Sequence, residues 1–373
     1  MFSIRPILIF TAILAIAVAL SCGAAGSGTG SGTSGSPTGS WQKVNAPPGA
    51  TEVNFVAFNN SNHWFLADQS QGFFRSTDQG ATWTQINAGL PTTLGWTINV
   101  NPANGDLIAS TFTGGALNAN PVQFFRSSDE GNSWILIPSG HLSSVTALTG
   151  CVFAANTNIV CGGYWAPSPG TGAWVSSNGG QSTVSVATTS SNSDGVFALG
   201  RNPETQDLWF GTEQNGMFRS TDNGLTWAQE SLADQQVDPA HGIPDSDIYG
   251  ITFDRSGNVL FASQGGVWKS AKINSGYTWT NVLNNAGSSA GKGLTRDANG
   301  NLYYGHDQDP GNPTDVYLST DNGATWAAFD SGIPPGLQGR QFAVNPSDRK
   351  LYAVITDENT SSGWLYRTVN PVQ

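Results

Sequence analysis

Charged side chains are scarce: Asp, Glu, Lys and Arg make up 11% of the 373 residues, against roughly 25% in an average soluble protein. Methionine occurs twice and cysteine three times. Helical bundles and coiled coils need long runs of Ala, Glu, Lys and Leu, so this composition excludes them. Cationic residues are the scarcer sign, 15 against 26 acidic, for a net charge of -11. A nucleic-acid binder presents a basic stripe to phosphates, so no nucleic-acid partner is expected. The cysteines have no Cys or His partner at ligand spacing, which excludes a zinc site. Glycine is plentiful, at 46 residues, and so are rings: 13 Trp, 18 Phe and 8 Tyr. Those rings suffice for a large core and exclude disorder. The balance points to a β-rich, acidic, extracytoplasmic protein.

Residues 1–21 carry one charge, Arg5, and the apolar run Ile7 to Leu20 broken only by Thr11. Fourteen helical residues rise about 21 Å, short of the roughly 30 Å hydrocarbon layer, so the segment reads as an export signal. It ends in Ala19-Leu20-Ser21-Cys22-Gly23, which resembles a bacterial lipobox and implies lipidation of Cys22. The alternative is plain signal-peptidase cleavage nearby. Residues 22–40 are almost purely Gly, Ser, Thr and Ala, a flexible tether with nothing to bury. Signal, anchor and tether imply an exported protein held in the bacterial cell envelope, at the periplasmic face or the cell surface.

From Trp41 to the end the chain repeats itself. Four copies of one turn are nearly identical: Ser76 to Trp83, Ser127 to Trp134, Ser220 to Trp227 and Ser319 to Trp326. Two more are worn, Ser176 to Thr183 and Ser270 to Trp279. The pattern S-x-D-x-G-x-[ST]-W resembles the Asp-box, or BNR repeat, of sialidase-like β-propellers. Turn chemistry supports a hairpin independently, because Ser and Asp bond the amides of a tight turn and Gly supplies positive φ. Each copy follows an alternating apolar strand such as Gly72-Phe73-Phe74-Arg75. Two further strands precede that one, with turns rich in Asn, Asp, Gly and Pro. Four strands per repeat of 42 to 52 residues is the arithmetic of a propeller blade.

The residues opening each fourth strand are Trp41, Trp83, Trp134, Thr183, Trp227, Trp279 and Trp326. The last repeat supplies only three strands, and Trp41-Gln42-Lys43-Val44 has no strands of its own before it. The expected fold of residues 41–373 is therefore all-β, a seven-bladed propeller closed by the N-terminal strand pairing with the C-terminal blade. Cys151 and Cys161 flank Asn156 symmetrically, a spacing suited to a cross-strand disulfide; two buried thiols are the alternative.

Most residues of catalytic type dissolve into the repeat. Arg75, Arg126, Arg219 and Arg367 share one position on the third strand, and Asp78, Asp129, Asp222 and Asp321 are the repeated turn's aspartates. The resemblance implies that any ligand lies on the opposite face, built by loops joining strand two to three and strand four to the next blade. Those loops offer Trp96, Tyr164, Trp165, His241, His306 and Arg340 as ligand-binding residues. They offer Asp245, Asp247, Asp307 and Asp309 as candidate catalytic carboxylates. Rings stack on sugar faces, and paired carboxylates cleave glycosides. Asp307, Asp309 and Asp315 are candidates for a calcium site, without EF-hand spacing; no other cofactor is expected. Sialidases, as the family implies, need an arginine triad and an early Arg-Ile-Pro motif, whereas the similar string here, Ile4-Arg5-Pro6, lies in the export signal. Only Arg340 begins an inner strand near the loop face, with Lys292 a weaker companion.

Two readings follow. The first is a monomeric envelope lipoprotein whose loop face binds a carbohydrate or protein without catalysis. The second is a glycoside hydrolase, acting on a neutral polysaccharide rather than as an exo-sialidase, with a carboxylate pair from the 230–247 and 306–315 loops.

Overall fold

The computed structural model of the protein describes residues 40–111, 122–138, 147–164, 172–186, 195–212, 216–230, 248–263, 266–273, 276–284, 293–306, 316–357 and 359–372. These form seven four-stranded antiparallel sheets, the blades of a β-propeller, and no helix. In six blades the strands follow one another in chain order. The seventh joins Gln338–Val344, Leu351–Asp357 and Ser362–Thr368 to Trp41–Lys43 from the far end of the chain. Trp41 pairs with Thr368 and Lys43 with Tyr366, the closure expected from the repeat count. Each blade's first strand lies against the first strand of the next, and blade seven's lies against blade one's.

Seven hydrophobic clusters fill the seven gaps between adjacent blades. Phe65 and Phe73 of blade one, for example, pack with Ile98, Leu107 and Phe125 of blade two. A sheet covered on both faces needs no polar side, so the second strands Trp64–Asp68, Leu107–Thr111, Leu208–Thr212 and Val259–Ser263 are buried throughout. Fourth strands lie outermost and are mostly two or three residues long, which leaves little free edge for unwanted pairing.

The repeated turn sets the blade rim. In blade one Ser76 Oγ donates to Asp78 Oδ1 (2.8 Å) and accepts from Gly80 N (2.8 Å). Asp78 Oδ1 accepts from Thr82 N at 2.8 Å, and its Oδ2 from the Thr82 hydroxyl. Gly80 sits at φ 83°, and a Cβ there would stand 2.7 Å from the Trp64 ring, so both backbone and packing demand glycine. The turn also ties blades together. Trp41, Trp83 and Trp134 donate their indole N–H to the carbonyls of Phe329, Asn45 and Ile86, each at the end of the previous blade's fourth strand. In the worn copy Thr183 keeps that link, its hydroxyl donating to Pro138 O at 2.6 Å. Asn178 there replaces the aspartate and still accepts from Ser182 N at 2.9 Å. The other worn copy departs further: Gly266–Ile273 and Gly276–Asn284 run on as one long hairpin, with Trp279 opposite Ser270.

The third-strand cations are structural. Arg126 pairs with Asp106 (2.6 Å) in its own blade and donates to Gly179 O of the next. Arg219 pairs with Asp207, and Lys269 bonds Asp254 and Asn322 O in the same two-way manner.

The hydroxyl bond from Thr82, with the bonds from Thr82 N and Ser76, lowers the Asp78 pKa to about 2. Asp129 is lowered by the equivalent bonds from Ser133 and Ser127. In Asp222 and Asp321 burial opposes the shift, and the bonds from Thr226 and Thr325 outweigh it. A carboxyl depressed on folding stabilises the fold above its unfolded pKa, about 3.9, and loses that contribution as pH falls through its folded value. The melting temperature should therefore fall between about pH 4 and pH 2 through these four groups. Replacing all four by Asn, which Asn178 shows the turn accepts, should flatten that fall in a calorimetric pH series. An undiminished slope would place acid sensitivity elsewhere.

Cys151 and Cys161 are direct cross-strand partners joined by a disulfide. Closing a loop of this size stabilises by about 3 kcal/mol in the chain-entropy view. The Cys151→Ala/Cys161→Ala double variant should melt about 4 °C lower, given the usual entropy per residue, as read by differential scanning calorimetry.

Candidate functional site

The seven first strands line a central channel, and five of them carry a β-bulge at the same place. The register slips between Val53 and Phe55, Gly95 and Thr97, Leu148 and Gly150, Val196 and Ala198, and Gly339 and Gln341. The extra residues are Asn54, Trp96, Thr149, Phe197 and Arg340. In blade five Tyr249 stands at the corresponding level, its amide donating to Ala262 O beside the Gly250–Ala262 pair. A bulge re-aims a side chain that regular pairing would send into the neighbouring sheet. Here the bulges gather residues from separated blades at one mouth of the channel, the end where the first strands enter.

The mouth has two aromatic sides. The Arg340 guanidinium of blade seven lies 4.9 Å from the centre of the Trp96 ring of blade two, although blade one stands between them. Contacts of this kind contribute about 0.5–2 kcal/mol, more as water is excluded. On the other side Phe197 and Tyr249 stack, with ring centres 5.1 Å apart and planes at 12°. Asn54 of blade one is buried, and its Nδ2 has no hydrogen-bond partner. A buried donor without an acceptor costs about 1–3 kcal/mol, which a ligand oxygen can recover.

Glycine lets the blades close up around this mouth. A Cβ at Gly363 in blade seven would run into the Val53 carbonyl oxygen, and one at Gly305 into that of Gly339. Two described carboxylates, Glu52 and Asp68, are brought together here. Burial, then the Asp68 charge, raises the Glu52 pKa. Asp68 accepts from the amides of Glu52, Ser70 and Gln71 and from the Ser70 hydroxyl. Its oxygens are committed to a turn, which suits positioning rather than proton transfer.

Of the residues singled out from sequence, Trp96 and Arg340 meet at the mouth. His306 is 1% exposed; its ring packs between Tyr304 and Tyr317, and its carbonyl accepts from Gly339 N. Tyr164 ends the second strand of blade three. Trp165, His241, Asp245, Asp247, Asp307, Asp309, Asp315 and Cys22 lie outside the described residues. Among the described residues no group of His, Cys, Asp or Glu is placed to hold a metal ion, and no helix is long and apolar enough to cross a membrane. Asn54 and Phe197 were missed in the sequence because a bulge leaves no composition signal, and Tyr249 because its partner Phe197 was. The shared offset from the start of each first strand, once the blades are aligned, was the signal that could have found them.

No protein-family model and no curated protein matches the chain. Solved structures do. YCF48 from Cyanidioschyzon merolae is 13% identical, with a TM-score of 0.60, over 88% of this chain and 98% of its own. A catalytically inactive virginiamycin B lyase from Staphylococcus aureus, solved with quinupristin, is 14% identical with a TM-score of 0.63, over 89% and 99%. The GH74 enzyme of Niastella koreensis is 16% identical with a TM-score of 0.58, over 87% of this chain and 55% of its own. This chain thus spans about half of that enzyme. At such identities the likeness is one of fold, and the same fold carries different functions.

Proposed function

We propose that the protein is an exported envelope lipoprotein whose Asp-box propeller, of sialidase-like type, binds a glycan or a protein segment at the channel mouth without catalysis. One observation carries the reading: two aromatic faces, Trp96 with Arg340 and the bulged Phe197 with Tyr249, converge on one opening. Flat rings suit the apolar faces of sugars or the side chains of a peptide, and Arg340 suits an acceptor oxygen. In the Glu52–Asp68 pair there, Asp68 is bonded into a turn, which suits holding a ligand over cleaving it.

Hydrolysis of a neutral glycan is the second reading, favoured by the fold shared with a GH74 enzyme. Its candidate acids are Asp245, Asp247, Asp307 and Asp309. Calorimetric titration of the protein with polysaccharides, sialylated oligosaccharides and a peptide panel tests both. Saturable heat with intact ligand supports binding, and continuing heat with shortened glycan supports hydrolysis.

A further inference from the structure

The channel's other end, where the first strands leave it, holds a separate cavity of about 390 Å³. Its walls are mainly apolar, with Phe55, Phe58, Val152, Phe153 and Val344 contributed by blades one, three and seven. That volume falls in the range of small-molecule sites, roughly 300–1,000 Å³, which share this pattern of apolar walls with a few placed polar groups. Three polar side chains line it: Asn99, Arg201 and Gln341. Gln341 is satisfied, exchanging bonds with the Val56 amide and carbonyl. The other two are not. Asn99 Nδ2 and Arg201 Nε are both buried donors without an acceptor.

Arg201 differs from several other part-buried cations of the propeller. Arg126, Arg219, Lys269 and Arg296 each pair with a carboxylate, from Asp106, Asp207, Asp254 and Glu204. Arg201 instead donates to the Phe153 carbonyl and to Gln206 Oε1. Among the described residues it has no carboxylate partner. A guanidinium beside apolar walls, with an idle N–H, is a poor arrangement for stability alone and a good one for an incoming anion. Asn99 lies at the other end of the same wall, beside Gly150, while Arg201 reaches Phe153. The two donors are thus spaced along one strand.

We propose that this cavity binds an amphipathic organic anion. Its carboxylate faces Arg201, its apolar body lies against the phenylalanine and valine walls, and Asn99 serves a second acceptor oxygen on longer ligands. The site is distinct from the opposite mouth and stands whether or not that mouth binds a glycan.

Octanoate is a suitable probe and octanol its neutral counterpart. Calorimetric titration of the full chain should give octanoate binding that saturates at one per chain. Octanol should bind about tenfold or more weakly, the usual worth of a hydrogen bond to a charged group. Arg201→Gln should bring octanoate down to the level of octanol. Ala57→Leu, which narrows the cavity and leaves Arg201 in place, should weaken binding of both, and it carries the test if the arginine variant fails to fold. Equal affinity for octanoate and octanol, unchanged octanoate binding in a folded Arg201→Gln or Ala57→Leu protein, or no saturable heat with octanoate, would overturn the proposal.

Discussion

Trp41→Ala should lower stability by about 3–5 kcal/mol, the range for emptying a buried indole site. This is more than any other single change in the repeated turn's tryptophans should cost. Trp41 is 4% exposed. It opens the only strand that blade seven borrows, donates its N–H to Phe329 O at 2.6 Å, and sets its ring edge-on to Phe329 at 5.9 Å. Its own amide donates to Ser331 O. Removing the indole therefore opens the joint between blades six and seven at the point where the ring closes. Trp83 offers an internal control, because it has the same place in its blade but is half-buried, and its N–H bond to Asn45 O is longer, at 3.1 Å. Trp83→Ala should cost less than half as much, since less area is returned to water. Thermal unfolding of the two variants checks this; equal losses would mean that closure is no weaker a seam than any other blade joint.

The second large effect concerns the channel mouth. Trp96→Ala should weaken the loop-face ligand by about 2 kcal/mol, roughly thirtyfold in Kd, as aromatic anchors at interface centres do. Arg340→Ala should act through the same contact, since its guanidinium lies over that ring. The double variant should consequently lose less than the sum of the two, a coupling that a double-mutant cycle reads directly. Thermal stability should change little, because both residues are partly exposed at the bulges. Full additivity would mean that the two residues act on separate parts of the ligand.

The fold was legible in the sequence to an unusual degree, and the reason is repetition. A turn that needs Ser, Asp, Gly and Trp at fixed offsets leaves the same mark in every blade, so blade number and closure could be counted from Trp41 to Trp326. The disulfide was legible because Cys151 and Cys161 are symmetric about one hairpin turn. Even the worn copy obeys the same physics, with Asn178 and Thr183 preserving bonds made elsewhere by Asp and Trp.

The site was legible only in part. Arg340 stood out as the arginine that begins an inner strand near the loop face, and Trp96 as a ring offered by that face. What joins them is a backbone irregularity, one extra residue in each of their first strands. Asn54 and Phe197 are ordinary residues in sequence and acquire a role only through that bulge, and Tyr249 through its stacking on Phe197. His306 shows the converse: a histidine beside an acidic loop reads as a ligand-binding candidate, whereas its side chain is buried against Tyr304 and Tyr317. Arg201 has no signal in the sequence, because its missing carboxylate is visible only once its neighbours are in place.

The most direct test of binding without catalysis is calorimetric titration of the protein with glycans and peptides, followed by chromatography of the recovered ligand. The account predicts heat that saturates at one ligand per chain, is lost in Trp96→Ala, and leaves the ligand intact. Heat that continues after saturation, with shortened glycan in the recovered material, would contradict it.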